Sequence, residues 1–373
     1  MKKRILHLIT QLPTGGAEHL LAAIVRELDG DRYESLVCCI QERGELAALI
    51  EAAGVPVVCL ERRGKRFSIG TVLALARLMR ERQIDLVHCH LYHANLYGRL
   101  AARLVGIPAI ATVHNTYIRR KWHRSLLNRW LGRGRGLVIA VSAEARADVI
   151  RHDRLDPQRV LLLPNGIDLT RVDTPLSQAA AKERLGYAAD DFVIGCIGRL
   201  EEQKGHVNII RAVGQLLETA PADLGRRLRL LIVGEGRLRG ELERAVAASG
   251  LGASVLLAGS RSDVAEILRS LDLYVMPSLW EGLSLAMLEA MAAGLAVIIS
   301  DVGGAAEVLG DGEFGVRVPP GDVGALAAAI TALATNDTER RRLGGAARQR
   351  VREAYDLRER VRRLEAIYES LLR

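Results

Sequence analysis

The chain has 373 residues, more than one hydrophobic core ordinarily organises, so two domains are expected. Its 49% hydrophobic and 26% charged residues are the balance of a soluble globular protein, and no uninterrupted run of about 18 apolar residues is present, which argues against a membrane span. The formal net charge of +8 favours anionic partners (nucleotides, phospholipid surfaces or nucleic acid) without choosing among them.

The start, "MKKRILHLITQLPTGG", places basic residues before an apolar run, but the run is short, contains His7 and ends in Pro and Gly rather than a cleavage site. From there, short β-branched runs alternate with helical patterns. "RILHLIT", "ESLVCCI", "VPVVCL", "IDLVHCH", "AIATVH", "GLVIAVS" and "RVLLLP" read as strands of a first series. "DFVIGCIG", "RLLIVGE", "SVLLAGS", "LDLYVMPS", "AVIISD" and "FGVRVPP" form a second. Strands that are apolar throughout and separated by helices predict parallel sheets covered on both faces. The expected architecture is α/β, two doubly wound Rossmann-like domains over 1–165 and 166–355. A charged amphipathic helix over 356–373 is expected to pack back on the first domain. The stretch from Asn165 to Asp190 reads as the connector. Ligands of such sheets bind beyond the carboxyl ends of the strands, so the expected site is a cleft between the domains.

The unusual residues fall at such strand ends. Gly15 and Gly16 precede a helix, where a ligand can approach the backbone and meet helix N–H groups, although a plain βα turn would look the same. The pattern is neither G-x-G-x-x-G nor a Walker loop, which disfavours a nicotinamide cofactor or ATP. His114 ends another strand, as a site residue or a hydrogen-bonded core residue. Arg199 and Lys204 follow the first strand of the second series, where two cations could grip a diphosphate or simply be surface. Glu281 precedes a helix and Glu289 lies inside it among Leu288, Ala290 and Met291. A carboxylate in apolar surroundings needs a partner or a function, with the helix dipole as the plainer explanation.

Metal binding is not expected. In "VHCHLYHAN", His88 and His90 share a strand face while Cys89 takes the other, so one ion cannot easily collect them with His93. The sole Asp-x-Asp, at Asp29 to Asp31, lies at the wrong end of the sheet. The five cysteines (Cys38, Cys39, Cys59, Cys89 and Cys196) are odd in number and contain no C-x-x-C, which argues against a disulfide framework or zinc site and fits a reducing cytoplasm.

At these residues the chain resembles the retaining GT-B glycosyltransferases of family four, over nearly its whole length. The resemblance runs through "TGGAE", "HLYHANLYGRLAARL", "TVHN", "VSAEARADV", "PNGID", "GRLEEQKG", "LLIVGEG", "GSRSDV", "PSLWEGLSLAMLEAMAAG", "SDVGGAAEV" and "VPPGD", in that order. It implies transfer of a sugar from a nucleotide-diphosphate sugar, most often UDP-linked, with the anomeric configuration kept and with neither metal nor other cofactor. It further implies that Arg199 and Lys204 clamp the diphosphate, helped by the amides of Leu283, Ser284 and Leu285. Glu281 would contact the donor sugar, Glu289 the ribose, His114 the sugar near its anomeric carbon, and Gly16 the donor phosphates and acceptor. The Ser260 and Arg261 loop would read the base through its backbone. Two departures stand out: Ser284 replaces a glycine and Ala296 a proline of the family pattern. Rival readings keep the fold for an epimerase, a phosphorylase or a non-catalytic sugar-nucleotide-binding assembly partner. Nucleic acid is not expected, for want of a motif.

The acceptor would be a lipid-linked sugar, a phospholipid or a growing glycan. Residues 117–136 carry Arg119, Arg120, Lys121, Arg124, Arg129, Arg133 and Arg135 with no acid, beside a stripe of Trp122, Leu126 and Trp130. Such a segment can lie on an anionic membrane, which would place the protein at the inner face of the plasma membrane, or can pack its stripe on the sheet. Arg62, Arg63, Lys65 and Arg66 could extend the patch.

Overall fold

The computed structural model describes residues 2–13, 15–62, 67–115 and 122–373, the last from Trp122 to Arg124 by backbone alone. The calls on Arg63, Lys65 and Arg66, and on Arg119, Arg120 and Lys121, lie outside the described residues. The chain divides into two compact units: Met1–Gly166 with Leu357–Arg373, and Ile167–Asp356.

The first unit holds strands β1 (Lys3–Gln11), β2 (Tyr33–Glu42), β3 (Val57–Cys59), β4 (Leu86–His90), β5 (Ala109–Val113), β6 (Gly136–Ala140) and β7 (Val160–Leu162). They form one parallel sheet in the order β3-β2-β1-β4-β5-β6-β7. The second unit holds β8 (Phe192–Ile197), β9 (Leu228–Val233), β10 (Val255–Leu257), β11 (Leu273–Met276), β12 (Val297–Ser300) and β13 (Val316–Val318). Their order is β10-β9-β8-β11-β12-β13, again parallel. Continuous burial along the central strands explains their unbroken apolar sequence: both faces are covered, so neither can be polar.

Strand order reverses between β1 and β4 in one unit and between β8 and β11 in the other. Helices leave opposite faces of the sheet there, and the strand ends open a crevice at each switch point. The segments after β1, β4, β8 and β11 carry Gly15–Gly16, Leu91, Arg199–Lys204 and Pro277–Glu281 respectively.

The Leu357–Leu372 helix belongs to the first unit and buries Leu357, Val361, Leu364 and Tyr368. Arg358 pairs with Glu27, the Glu365 carboxylate accepts the Asp29 amide at 2.9 Å, and the Arg360 Nε donates to the Pro164 carbonyl at 3.0 Å. Asp29 and Asp31 are exposed in a turn between a helix and β2. All five cysteines are free thiols.

One glycine fixes the second unit's loop. Gly205 closes the short 3-10 turn Glu202–Lys204 at φ +61°, and a Cβ there would lie 2.2 Å from the Pro277 carbonyl oxygen. Gly205→Ala should therefore destabilise the protein by about 2 kcal/mol or more, from left-handed backbone plus a clash with main chain that cannot step aside. Urea unfolding measures this; a midpoint equal to wild type would refute the strain.

Candidate active site

In the second unit, the loop after β8 and the loop after β11 meet through backbone and side chains. The Leu279 amide donates to the Gln203 carbonyl at 2.8 Å. Glu281, 7% exposed, is the hub. Lys204 Nζ pairs with its Oε1, the Ser278 hydroxyl donates to the same oxygen at 3.0 Å, and Gln203 Nε2 donates to Oε2 at 3.3 Å. Gln203 also donates to the Trp280 carbonyl at 3.0 Å, which fixes the amide's orientation. A cation and a carboxylate held at a switch point offer donors to phosphate oxygens and acceptors to sugar hydroxyls side by side.

Arg199 lies on the same loop but is exposed, and among the described residues it makes no ion pair. The two expected clamp residues thus differ in state: Lys204 is committed to Glu281, Arg199 is uncommitted.

Ser284 is the N-cap of the Leu285–Ala292 helix, its hydroxyl accepting the Met287 amide at 3.4 Å. That is the physical reason a serine serves where the family pattern has glycine: it satisfies one helix-terminal N–H that a glycine would leave to solvent or ligand. Leu283 and Ser284 are buried beside it, and Leu285 begins the helix. Ala296, the other departure, is buried at the entry to β12, where the glycine at 344 packs against the 294–296 backbone.

Glu289 lies inside that helix, and its carboxylate is held above the ordinary range by burial, with Arg171 pulling the other way. Arg171 Nη1 stands 3.8 Å from Glu289 Oε1, a long contact that leaves room for a further partner. Arg261 is spoken for, its guanidinium paired with Asp263 across two residues, so the Ser260–Arg261 loop offers backbone groups and the exposed Ser260 hydroxyl.

In the first unit, Gly15 is the N-cap and Gly16 the first residue of the Gly16–Glu27 helix. The buried Glu18 carboxylate folds back beside Gly15, where a Cβ would stand 2.4 Å from it. After β4, Leu91 adopts φ +68° and ψ 165°, a conformation a branched side chain takes only under constraint. His114, just past β5, lies 3.3 Å from His90, ring nitrogen to ring nitrogen. Burial pushes His114 down to about 3, so its imidazole is neutral.

His114 ends a row whose first member, His7, sequence reasoning missed. His7 on β1 is in register with His88 on β4, and His90 is two residues further along the same face. The three are fully buried and bring ring nitrogens within 4.8 Å of one another. Cys89 faces the other way, against the Gly98 side of the sheet. Both His88 nitrogens are engaged, at 2.7 Å to the Tyr368 hydroxyl and 2.7 Å to the Thr112 hydroxyl. Arg360 adds positive potential at His88, His90 and His114. An ion here would have to displace a hydrogen bond of His88 and tolerate that guanidinium, so the row reads as packed core of the first unit's sheet. Gln203, Ser278 and Arg171 were also missed. Only Ser278, three residues before Glu281, carried a local signal.

Two family models match the chain: "Glycosyltransferase Family 4" over residues 14–171 and "Glycosyl transferases group 1" over residues 177–350. The EpsF protein of Bacillus subtilis (strain 168) is 30% identical over 317 residues, covering 80% of this chain and 79% of that one. The chain belongs to the group 1/family 4 glycosyltransferases. The UDP-Gal:alpha-D-GlcNAc-diphosphoundecaprenol alpha-1,3-galactosyltransferase of Escherichia coli is 32% identical over 243 residues, 63% of this chain and 62% of that one. Among solved structures, Anabaena HepE in complex with UDP and glucose superposes with a TM-score of 0.87 at 23% identity, covering 98% and 99% of the two chains. The fold of this glycosyltransferase is thus GT-B, with two Rossmann-like units.

Proposed function

We propose that this glycosyltransferase moves a sugar from a UDP-sugar to a lipid-linked or glycan acceptor, with retention and without a metal ion. The Lys204–Glu281 pair at the second unit's switch point carries the reading. A donor arriving there would exchange the Lys204 contact for its diphosphate and free Glu281 to accept sugar hydroxyls, while Arg199 takes further phosphate oxygens. Cleavage of the bond from the anomeric carbon to the β-phosphate oxygen leaves an oxocarbenium-like sugar and a more negative diphosphate. Preorganised cations and helix amides at 283–285 would stabilise that charge most where it develops. The acceptor oxygen would bond to the anomeric carbon on the face the diphosphate leaves, its proton passing to the departing phosphate oxygen. His114, neutral and partly accessible, would hold the sugar by a hydrogen bond.

The acceptor side is read from the Trp122–Leu131 helix. Leu126 is 54% and Trp130 43% exposed, so this part of the stripe is not spent on the core, and Arg103 lies over the Trp130 ring at 4.5 Å. Exposed apolar residues among Arg103, Arg129, Arg133 and Arg135 suit the headgroup boundary of an anionic membrane. No helix of the described residues is long and apolar enough to cross a membrane. A peripheral enzyme at the cytoplasmic face would meet soluble nucleotide sugars and a lipid acceptor together. The E. coli relative is named for UDP-galactose and a diphosphoundecaprenol acceptor, which supports the choice.

A thermal-shift panel of UDP-, GDP- and ADP-sugars tests the donor, because a ligand specific to the native state raises its melting temperature. UDP-sugars should raise it most. The product's anomeric configuration by NMR then tests retention. A GDP- or ADP-sugar preference, or an inverted product, would overturn the corresponding part.

A further inference from the structure

The amino-terminal edge of the first unit's sheet carries a cavity of about 370 Å³, within the range of small-ligand sites. It opens where β5 and β6 begin, at Ala109 and Gly136, the edge opposite to Gly15 and His114. Five arginines line it: Arg99, Arg103, Arg133, Arg135 and Arg159. Among the described residues, no acidic one does. The floor is apolar, from Ile107, Leu131 and Leu155.

The arginines divide into those bonded to main-chain carbonyls and those without an ion pair, of which Arg103 also lies over the Trp130 ring. Arg159 donates to the Gly132 carbonyl at 3.0 Å and to that of Gly134, pinning the turn that carries Arg133. Arg135 is fixed by main chain, its carbonyl accepting the Ala109 amide at 3.0 Å. The next residue, Gly136, comes so close that a Cβ would stand 1.9 Å from the Ala109 oxygen. Arg99 reaches the Asn128 carbonyl at 3.4 Å; burial lowers it to about 10, still cationic at neutral pH. Cys89 and then Asp153 act on Arg99 in the opposite sense, and the Asp153 carboxylate also accepts from Asn128 Nδ2 at 3.0 Å. Arg103, Arg133 and Arg135 are exposed, and none forms an ion pair among the described residues. Holding several uncompensated guanidinium groups around one concavity costs electrostatic energy that an anion would relieve. Arginine's planar fork suits phosphate in particular.

We propose that this cavity is a phosphate-ester site, separate from the donor's diphosphate, in which Arg103, Arg133 and Arg135 take the phosphate oxygens and the apolar floor takes the attached carbon skeleton. The phosphate could come from a phospholipid headgroup or a soluble phosphate ester, and the same recognition serves both. The site does not depend on the glycosyl-transfer reading.

The test uses the full chain and compares wild type with Arg133→Gln/Arg135→Gln and, as a charge-matched control, Arg211→Gln/Arg244→Gln on the second unit. Glycerol phosphate is titrated calorimetrically at low salt. Vesicles of phosphatidylcholine with and without phosphatidylglycerol are used for co-sedimentation. The expected result is that the pocket variant weakens binding of at least one probe about tenfold or more while the control stays near wild type. Loss confined to phosphatidylglycerol vesicles assigns the site to lipid, and loss of glycerol phosphate without sedimentation assigns it to a soluble ester. Wild type binding neither probe, or both variants losing equally, would overturn the proposal. UDP-sugar thermal shifts in the same variants report folding and the donor site independently.

Discussion

Lys204→Ala should lower turnover by roughly 10²–10³-fold, the usual cost of one preorganised donor to developing charge, and Arg199→Ala by a comparable factor. Their stabilities should separate. Lys204 is 16% exposed and paired with a Glu281 side chain that is 9% exposed, so its removal leaves a buried carboxylate without its cation. That typically costs about 3 kcal/mol or more. Arg199 is exposed and makes no ion pair among the described residues, so Arg199→Ala should change stability by no more than about 0.5 kcal/mol. The double variant Lys204→Ala/Glu281→Gln should regain most of the lost stability and none of the turnover, because it removes the stranded charge but not the need for a cation on the diphosphate. Urea unfolding and initial-rate assays on the four proteins measure both. Near-normal turnover in both single variants would remove the proposed role of these cations.

The second large effect is acid lability of the first unit. His7 is fully buried, its two ring nitrogens have no hydrogen-bond partner, and burial pushes it down to about 3; burial pushes His88 and His90 well below the usual value and His114 to about 3. The unfolded chain takes up protons at these histidines near pH 6.5, while the folded one does not. Stability is therefore fully present above about pH 6.5 and is lost as pH falls toward about 3. For a histidine such as His7 the loss reaches about 2 kcal/mol by pH 5, and the row together could exhaust the margin of an ordinary domain. His7→Leu removes the two unpartnered nitrogens with little change of volume. It should be at least as stable as wild type at about pH 7.5 and should lose about 2 kcal/mol less on going to pH 5. An unchanged pH dependence would show that His7 titrates normally.

The strands were legible because burial on both faces leaves no polar alternation to confuse the pattern. The ends of β8 and β11 were legible too, since Arg199, Lys204 and Glu281 are conspicuous after apolar runs. Contacts between distant segments were not. His7 read as an interruption of an apolar run, because only the β1–β4 register brings it to His88, and Tyr368 arrives from the far end of the chain. Glu289 was expected to need a partner, yet Arg171 lies more than a hundred residues earlier in a turn with no pattern of its own. Lys204 was paired in expectation with Arg199 for a diphosphate, whereas the structure gives it first to Glu281. Long, flexible cations carry no sequence periodicity, so their partners are set by tertiary packing alone.

In the proposed reaction the second unit would grip the diphosphate of a nucleotide sugar through Arg199 and Lys204. Calorimetric titration of UDP and of uridine into wild type and Arg199→Ala/Lys204→Ala tests it most directly. UDP affinity should fall by about 10²-fold or more in the double variant, from two lost charge-assisted contacts, while uridine affinity stays within about twofold. Equal UDP affinity in the two proteins, or an equal loss for uridine, would contradict it.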